Sequence, residues 1–252
     1  MPLIEGEGLV LKTYNLAEAD RIVVFYMREH GVVRGVARGV KRLKSRFGSM
    51  LEPFTTVNVS YFQKEDRELV SITHVELIRS YFDYAVDPHF LDAFSYAADL
   101  LLQFAQPADP DEKMFRMFSA CLSAAADDKS DLQALRLYFE LWLLRLGGFL
   151  PDWTRCENCR TMLPHDDTAF LRGGFHLNCA TCSRGGVMRI SPAHRELISG
   201  AKSLPPSDFI RSADGKAELI RELSNILGRL IAQTLGKQAP TSPPPLAFRN
   251  AI

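Results

Sequence analysis

The sequence predicts an α+β protein of several domains: a small five-stranded β-barrel, an α-helical domain after it, and a four-cysteine subdomain set into the helical part. Three observations predict this. Five short runs rich in β-branched and aromatic residues fill the first eighty positions. Apolar residues recur at helical spacing from about Tyr81 onward. Two Cys-x2-Cys pairs stand in a stretch with few long apolar runs.

The strand runs are GLVLKTY, RIVVFYM, VVRGVAR, TVNVSYF and LVSITHVEL, separated by turns or polar links. Between Phe54 and Phe62 the period of two puts Val57, Val59 and Tyr61 on one face, and Phe54, Asn58, Ser60 and Phe62 on the other. Five strands in so short a span fit a closed barrel better than an open sheet, which leaves edges exposed. The five-stranded barrel of this economy is the OB-fold, predicted here for residues 1–82.

Residues 83–252 are predicted to be mainly helical. PHFLDAFSYAADLLLQFA carries Phe90, Phe94, Ala97, Leu101 and Phe104 on one stripe. AQPADPDE interrupts it with two prolines, and MFRMFSACLSAAA resumes it. ADDKSDLQ is a polar link in which Ser130 or Asp131 is suited to cap the next helix. ALRLYFELWLLRLGGFLPD is strongly apolar and stops at Gly147-Gly148. Residues 151–190 form the cysteine-bearing insertion. SPAHRELISG then opens a helix with Ser191 as N-cap and Pro192 in the first turn, and KAELIRELSNILGRLIAQTLG is a further amphipathic helix. The proline-rich tail, 237–252, reads as flexible.

Composition narrows the function classes. The hydrophobic fraction is 46% and the charged fraction 24%, ordinary for a globular protein in water. No apolar run reaches the roughly 18 residues of a membrane span. The start, MPLIEGEGLVLK, has no basic segment followed by an apolar core, so a cytoplasmic location is expected. Thirty basic and thirty acidic residues cancel, but unevenly. Residues 83–150 carry five basic against eleven acidic side chains, while 1–82 carry twelve against ten. Such asymmetry points to a localised anion-binding surface rather than a polyanion coat.

Cys156, Cys159, Cys179 and Cys182 have two residues inside each pair and nineteen between the pairs. A two-residue spacer lets one tight turn present both sulfurs to one ion, and the longer insert can form a hairpin that returns the second turn. Four thiolates close a tetrahedron, so the reading is a structural zinc site with no catalytic role. The rivals are two disulfides, a redox pair or an iron–sulfur cluster. A cytosolic chain disfavours the first. A redox Cys-x2-Cys comes as one pair beside a βαβ unit, which is absent. Cys121 reads as a buried core thiol and His176 as an ordinary hairpin residue.

RGVARGVKRLKSRFG, residues 34–48, holds Arg34, Arg38, Lys41, Arg42, Lys44 and Arg46, and no acidic residue occurs between Glu29 and Glu52. A solvated loop is the bland reading. With Phe47, Phe54 and Phe62 nearby, however, the segment has the makings of a basic groove with stacking rings for single-stranded nucleic acid. No GxxxxGK[ST], GxGxxG, HExxH or GxSxG occurs, and nothing in the sequence asks for an enzyme.

The ordered combination resembles the bacterial recombination mediator family RecO across nearly the whole chain. The blocks ARGVKRLKSRFGSMLEPF and FELWLLRLGGFLPDWTRCENC carry most of the likeness. The resemblance implies an N-terminal OB-fold, a helical domain and, in many members, a zinc site. It implies a non-enzymatic role in DNA repair and homologous recombination by the RecF pathway: binding single- and double-stranded DNA, annealing complementary strands, and helping RecR load RecA onto strands coated by single-stranded-DNA-binding protein. By position it makes Arg34, Arg38, Lys41, Arg42, Lys44 and Arg46 the DNA-contact candidates, and Cys156, Cys159, Cys179 and Cys182 the metal ligands. It also implies a site for the C-terminal tail of the single-stranded-DNA-binding protein, for which Arg136 and Arg145 are candidate rim residues, and a nucleoid-associated location without membrane contact. Two alternatives stand beside it. One is a zinc-stabilised protein-interaction scaffold with incidental nucleic-acid affinity. The other is a zinc-containing nucleic-acid enzyme, for which no positioned carboxylate is apparent.

Overall fold

A computed structural model describes residues 3–63, 68–106, 109–127, 131–164, 166–172, 175–183 and 188–236. The predicted flexible tail and the candidate cap Ser130 lie outside the described residues. The chain divides into two compact units, Met1–Leu132 and Gln133–Ile252.

The first unit is built on five strands: β1 (Leu3–Asn15), β2 (Arg21–Met27), β3 (Gly31–Ala37), β4 (Thr56–Phe62) and β5 (Leu69–Arg79). They close into a barrel of order β1-β2-β3-β5-β4, with β4 returning to β1 and β3 parallel to β5. This is the OB-fold barrel that the five short strand runs predicted. β2 and β4 have the limits read from the sequence. β1 begins five residues before the GLVLKTY run. Glu5-Gly6-Glu7-Gly8 has weak strand propensity, yet Leu3–Leu9 pair residue by residue with β4 while Gly8–Asn15 pair with β2. Barrel closure outweighs local preference there. Gly8 is required by the core, since a Cβ at this position would meet Met27 Sδ at 2.5 Å.

The barrel interior is filled by Val10, Val23, Phe25, Met27, Val57, Val59, Tyr61, Val70, Ile72 and Val75. Gly35 lies within it. A Cβ there would meet Ile72 Cγ1 at 2.7 Å and Val70 Cγ2 at 3.0 Å. Overpacking of this kind costs about 1–3 kcal/mol. Gly35→Ala is therefore expected to lower the midpoint of thermal unfolding by several degrees; an unchanged melt would show that this wall yields freely.

Two helices complete the unit, α1 (Pro88–Phe104) and α2 (Glu112–Asp127). Asp87 caps α1 by accepting from the His89 N–H, with Pro88 in the first turn. The predicted stripe is buried at Phe90, Phe94, Ala97 and Leu101, and Phe104, in the last turn, is half-buried. Phe54 meets this face, its ring 6.2 Å from Phe90 and 5.9 Å from Phe94. Its backbone has φ +65°, a conformation uncommon for an aromatic residue and held by that packing.

The second unit contains α3 (Leu132–Leu146), α4 (Pro192–Ser203), α5 (Pro206–Ser212) and α6 (Ala217–Thr234), with a small sheet of β6 (Ala169–Leu171), β7 (Leu177–Asn178) and β8 (Met188–Ile190) in the order β7-β6-β8. α3 gives way at Gly147-Gly148, where Gly148 has φ +74°. Ser191 caps α4 in a reciprocal capping box with His194. Trp142 Nε1 donates to Ala201 O at 2.7 Å and Tyr138 Oη to Leu204 O at 3.2 Å, so a half-buried indole and a buried phenol tie α3 to the end of α4.

Candidate functional site

The four predicted metal ligands come together. The Sγ atoms of Cys156, Cys159, Cys179 and Cys182 all lie within 4.8 Å of one another. Each pair sits on a tight turn. In the first, Arg160 N donates to Cys156 O at 2.9 Å, and Arg160 takes φ +59° so that the chain doubles back to bring Thr161 O within 2.9 Å of Cys156 N. In the second, the N–H groups of Cys182 and Ser183 both donate to Cys179 O, at 3.2 and 3.0 Å. β6 and β7 form the hairpin expected between the pairs, and Glu157 N donates to Leu177 O at 2.8 Å, joining one turn to the strand that leads into the other.

The site has the electrostatics of a cation cage. Burial pushes the Cys156 thiol up, but the backbone N–H groups of Cys159, Cys179 and Asn158, with the Cys159 thiol, outweigh it and bring it down to about 6. The Asn158 amide, 3.4 Å from Cys182 Sγ, pulls that thiol down, yet the neighbouring sulfurs push it up to about 11. Four thiols this close cannot all ionise unless a cation sits among them. All five cysteines are free, and Cys159 Sγ stands 3.9 Å from Cys179 Sγ. That is far beyond a disulfide bond and close to the edge of about 3.8 Å that four sulfurs at 2.3 Å from one zinc define. The donor set fits a metal ion held by four thiolates. Among the described residues His176 is not in the cluster; its Nδ1 faces Glu157 Oε2 at 3.7 Å. Cys121 is a core thiol, 1% exposed, with burial pushing its pKa up.

The six basic candidates of the first unit also share an environment. Arg34 lies on β3, and Arg38, Lys41, Arg42, Lys44 and Arg46 lie on the turn-rich segment 38–55; all six are exposed. None is in an ion pair among the described residues. The segment is nevertheless fixed to the barrel. Val40, Phe47 and Leu51 point into the core. Gly39 N donates to Asp20 Oδ1 at 2.8 Å and Lys41 N to Ala19 O at 3.1 Å. Gly39 takes φ +71°, and successive turns close through Ser45 and Met50. The charges are thus carried on a backbone anchored from beneath.

The aromatic part of the expectation is corrected. Phe47 and Phe54 are each 1% exposed, filling the barrel interior and the α1 face. They anchor the segment and have no surface to offer a base. Phe62 on β4 is half-buried.

Residues 1–81 match the family model described as recombination protein O N terminal, and residues 87–243 match recombination protein O C terminal. The chain belongs to the RecO family. It is 34% identical over 241 residues to the DNA repair protein RecO of Koribacter versatilis, covering 92% of this chain and 96% of the relative. It is 34% identical over 227 residues to the DNA repair protein RecO of Thermobifida fusca, covering 86% and 87%, and 30% identical over 241 residues to that of Cutibacterium acnes, covering 92% and 94%.

In this RecO-family chain, the candidate rim residues Arg136 and Arg145 also make contacts within the second unit. Arg136 Nε donates to Oε1 of the fully buried Glu140 at 2.8 Å. Arg145 stacks on Trp142 at 4.7 Å and donates to Lys202 O at 3.2 Å. The sequence reading missed Arg195, whose buried guanidinium donates to the carbonyls of Leu163, Pro164 and Asp167 and so ties the cysteine module to α4. Its spacing of three from Ile198, on the apolar side of the helix, was the available signal. It also missed Asn158, Thr161 and Asn178, whose side chains lie 3.3–3.6 Å from cysteine sulfurs; short polar residues inside metal turns leave no distinctive pattern. Among the described residues no helix is long and apolar enough to cross a membrane.

Proposed function

We propose that this chain is a DNA repair protein that acts as a recombination mediator by holding DNA strands through their phosphates on the 34–46 segment of its barrel. One observation carries the reading: six exposed cationic side chains, without ion pairs among the described residues, stand on a segment whose backbone is pinned to the barrel core. Lys and Arg that neutralise phosphates release condensed counterions, which supplies affinity without reading sequence. Burial of Phe47 and Phe54 strengthens the emphasis on phosphates over base stacking. Two strands held at one positive surface repel each other less, so annealing is accelerated with no nucleotide consumed and no catalytic group required. On this reading the protein works in the bacterial cytoplasm at the nucleoid. It acts with RecR, recognises the C-terminal tail of single-stranded-DNA-binding protein, and helps RecA onto coated strands. The family membership supports these partners.

The four-cysteine cluster is proposed to hold zinc through Cys156, Cys159, Cys179 and Cys182. Zinc there supplies folding energy to a small module, and the closed donor set leaves no position for a substrate.

The test is annealing of two complementary labelled oligonucleotides, without ATP, at two salt concentrations. Acceleration that weakens with salt is expected. For four to six phosphate contacts on single strands, log K falls against log salt with a slope of about −3 to −4. No acceleration by the folded, metal-loaded protein would favour the scaffold reading instead.

A further inference from the structure

We propose that a cavity between the barrel and α2, separate from the 34–46 segment, binds a phosphate monoester group. The cavity holds about 240 Å3 and lies wholly within the first unit. Three arginines line it: Arg28 just after β2, Arg79 at the end of β5, and Arg116 on α2. Arg28 and Arg38 follow opposite ends of the antiparallel β2–β3 pair. At about 3.3 Å per residue, seven residues place the two sites about 20 Å apart along the barrel.

The polar groups are built for an oxyanion and are partly unsatisfied. Arg28 pairs with Glu7 at 2.8 Å, with its guanidinium also over the Phe115 ring at 4.9 Å. Its Nε is buried and has no hydrogen-bond partner among the described residues, and the same holds for Ser119 Oγ. Arg79 is held over Tyr81 and donates to Ser123 Oγ at 3.1 Å, a hydroxyl that also meets Tyr81 Oη at 2.8 Å. Arg116 is exposed and forms no ion pair among the described residues. With Glu7 answering Arg28, the guanidinium charges of Arg79 and Arg116 have no ion-pair partner among the described residues. That matches the dianion of a phosphate monoester better than a single carboxylate. Guanidinium forks with a spare hydroxyl suit three terminal oxygens.

The remaining lining is mixed, with Thr56 and Tyr81 beside the apolar Ile78 and Phe115. Phe115 is buried, and half of the surface of Ile78 is exposed. The volume falls below the roughly 300 Å3 of ordinary small-molecule sites, so the ligand is a phosphate on a small organic body. A free mononucleotide and the phosphorylated end of a DNA strand both present that chemistry. The site does not depend on the 34–46 segment, and the two readings fail separately.

Calorimetric titration of the full chain with inorganic phosphate, AMP and adenosine tests it. Phosphate and AMP are expected to bind one-to-one and adenosine not at all. Arg116→Ala, at an exposed position without an ion partner, is expected to weaken AMP binding at least tenfold, and Ser119→Ala several-fold. Replacing Lys41, Arg42, Lys44 and Arg46 by alanine should leave AMP binding intact. AMP affinity that survives Arg116→Ala, or that is lost with the 41–46 replacements instead, overturns the proposal. So does an acidic peptide that binds through Arg116 when AMP does not. Oligonucleotides with 5′-phosphate or 5′-hydroxyl ends then separate the sources. An Arg116-dependent preference for the phosphorylated end assigns the site to strand termini; equal affinity with AMP binding retained assigns it to free nucleotides.

Discussion

Cys179→Ser protein is expected to purify with markedly less zinc and with residues 153–190 unfolded. Cys179 is one of four sulfurs within 4.8 Å, and its carbonyl closes the second turn by accepting from Cys182 and Ser183. The module has little else to hold it. Its strands are three, two and three residues long, and its apolar interior is small, including Trp153, Leu163, Ala169 and Leu177. In such modules metal binding contributes about 10–16 kcal/mol of apparent folding energy. The helices of the second unit have their own core around Leu143, Phe209, Leu223 and Leu227, so most helical signal should persist. Metal analysis decides the assignment: zinc content equal to the unsubstituted protein would sink it. Limited proteolysis supplies the structural arm, with new cleavage expected inside 153–190.

The second large effect is on DNA. Replacing Lys41, Arg42, Lys44 and Arg46 by alanine is expected to weaken single-strand binding and annealing together. If all four contact phosphates, the slope of log K against log salt becomes shallower by about 2.8. The fold should survive. All four side chains are exposed, and the anchors of the segment are Val40, Phe47, Leu51 and the Asp20–Gly39 hydrogen bond, which the substitutions leave in place. The losses are modest contacts: Lys41 Nζ to Ala17 O at 3.2 Å, the Arg46 guanidinium to Ile72 O at 3.5 Å, and Arg46 over the Phe47 ring at 4.8 Å. Unchanged circular dichroism with unchanged annealing would remove this segment as the binding surface. Altered circular dichroism would call for single substitutions, beginning with Lys44.

Legibility differed by kind of signal. The cysteine quartet could be read outright because metal turns need particular residue types at a fixed short spacing, so the chemistry is written locally. β2 and β4 were legible for a similar reason: short runs of β-branched and aromatic residues are a local mark of a strand, with alternation added in β4. The start of β1 was not, because Glu5-Gly6-Glu7-Gly8 becomes strand only by pairing with β4, some fifty residues away. α5, which opens at Pro206 behind Pro205, was also unread; a helix of about two turns has no period to detect.

The aromatic residues show the sharper limit. Phe47 and Phe54 stand beside a basic run, and composition alone cannot say whether a ring near charge faces solvent or core. The sequence by itself determined the order of the main elements, the four-cysteine cluster and the concentration of positive charge between Glu29 and Glu52. Only the tertiary structure decided that both rings turn inward to anchor the charged segment. It also decided that Arg28, Arg79 and Arg116, from three separate elements, meet around one cavity. The physical reason is that burial is settled by what a closed barrel and its covering helices leave unfilled. That depends on contacts between residues distant in the chain, which no local pattern records.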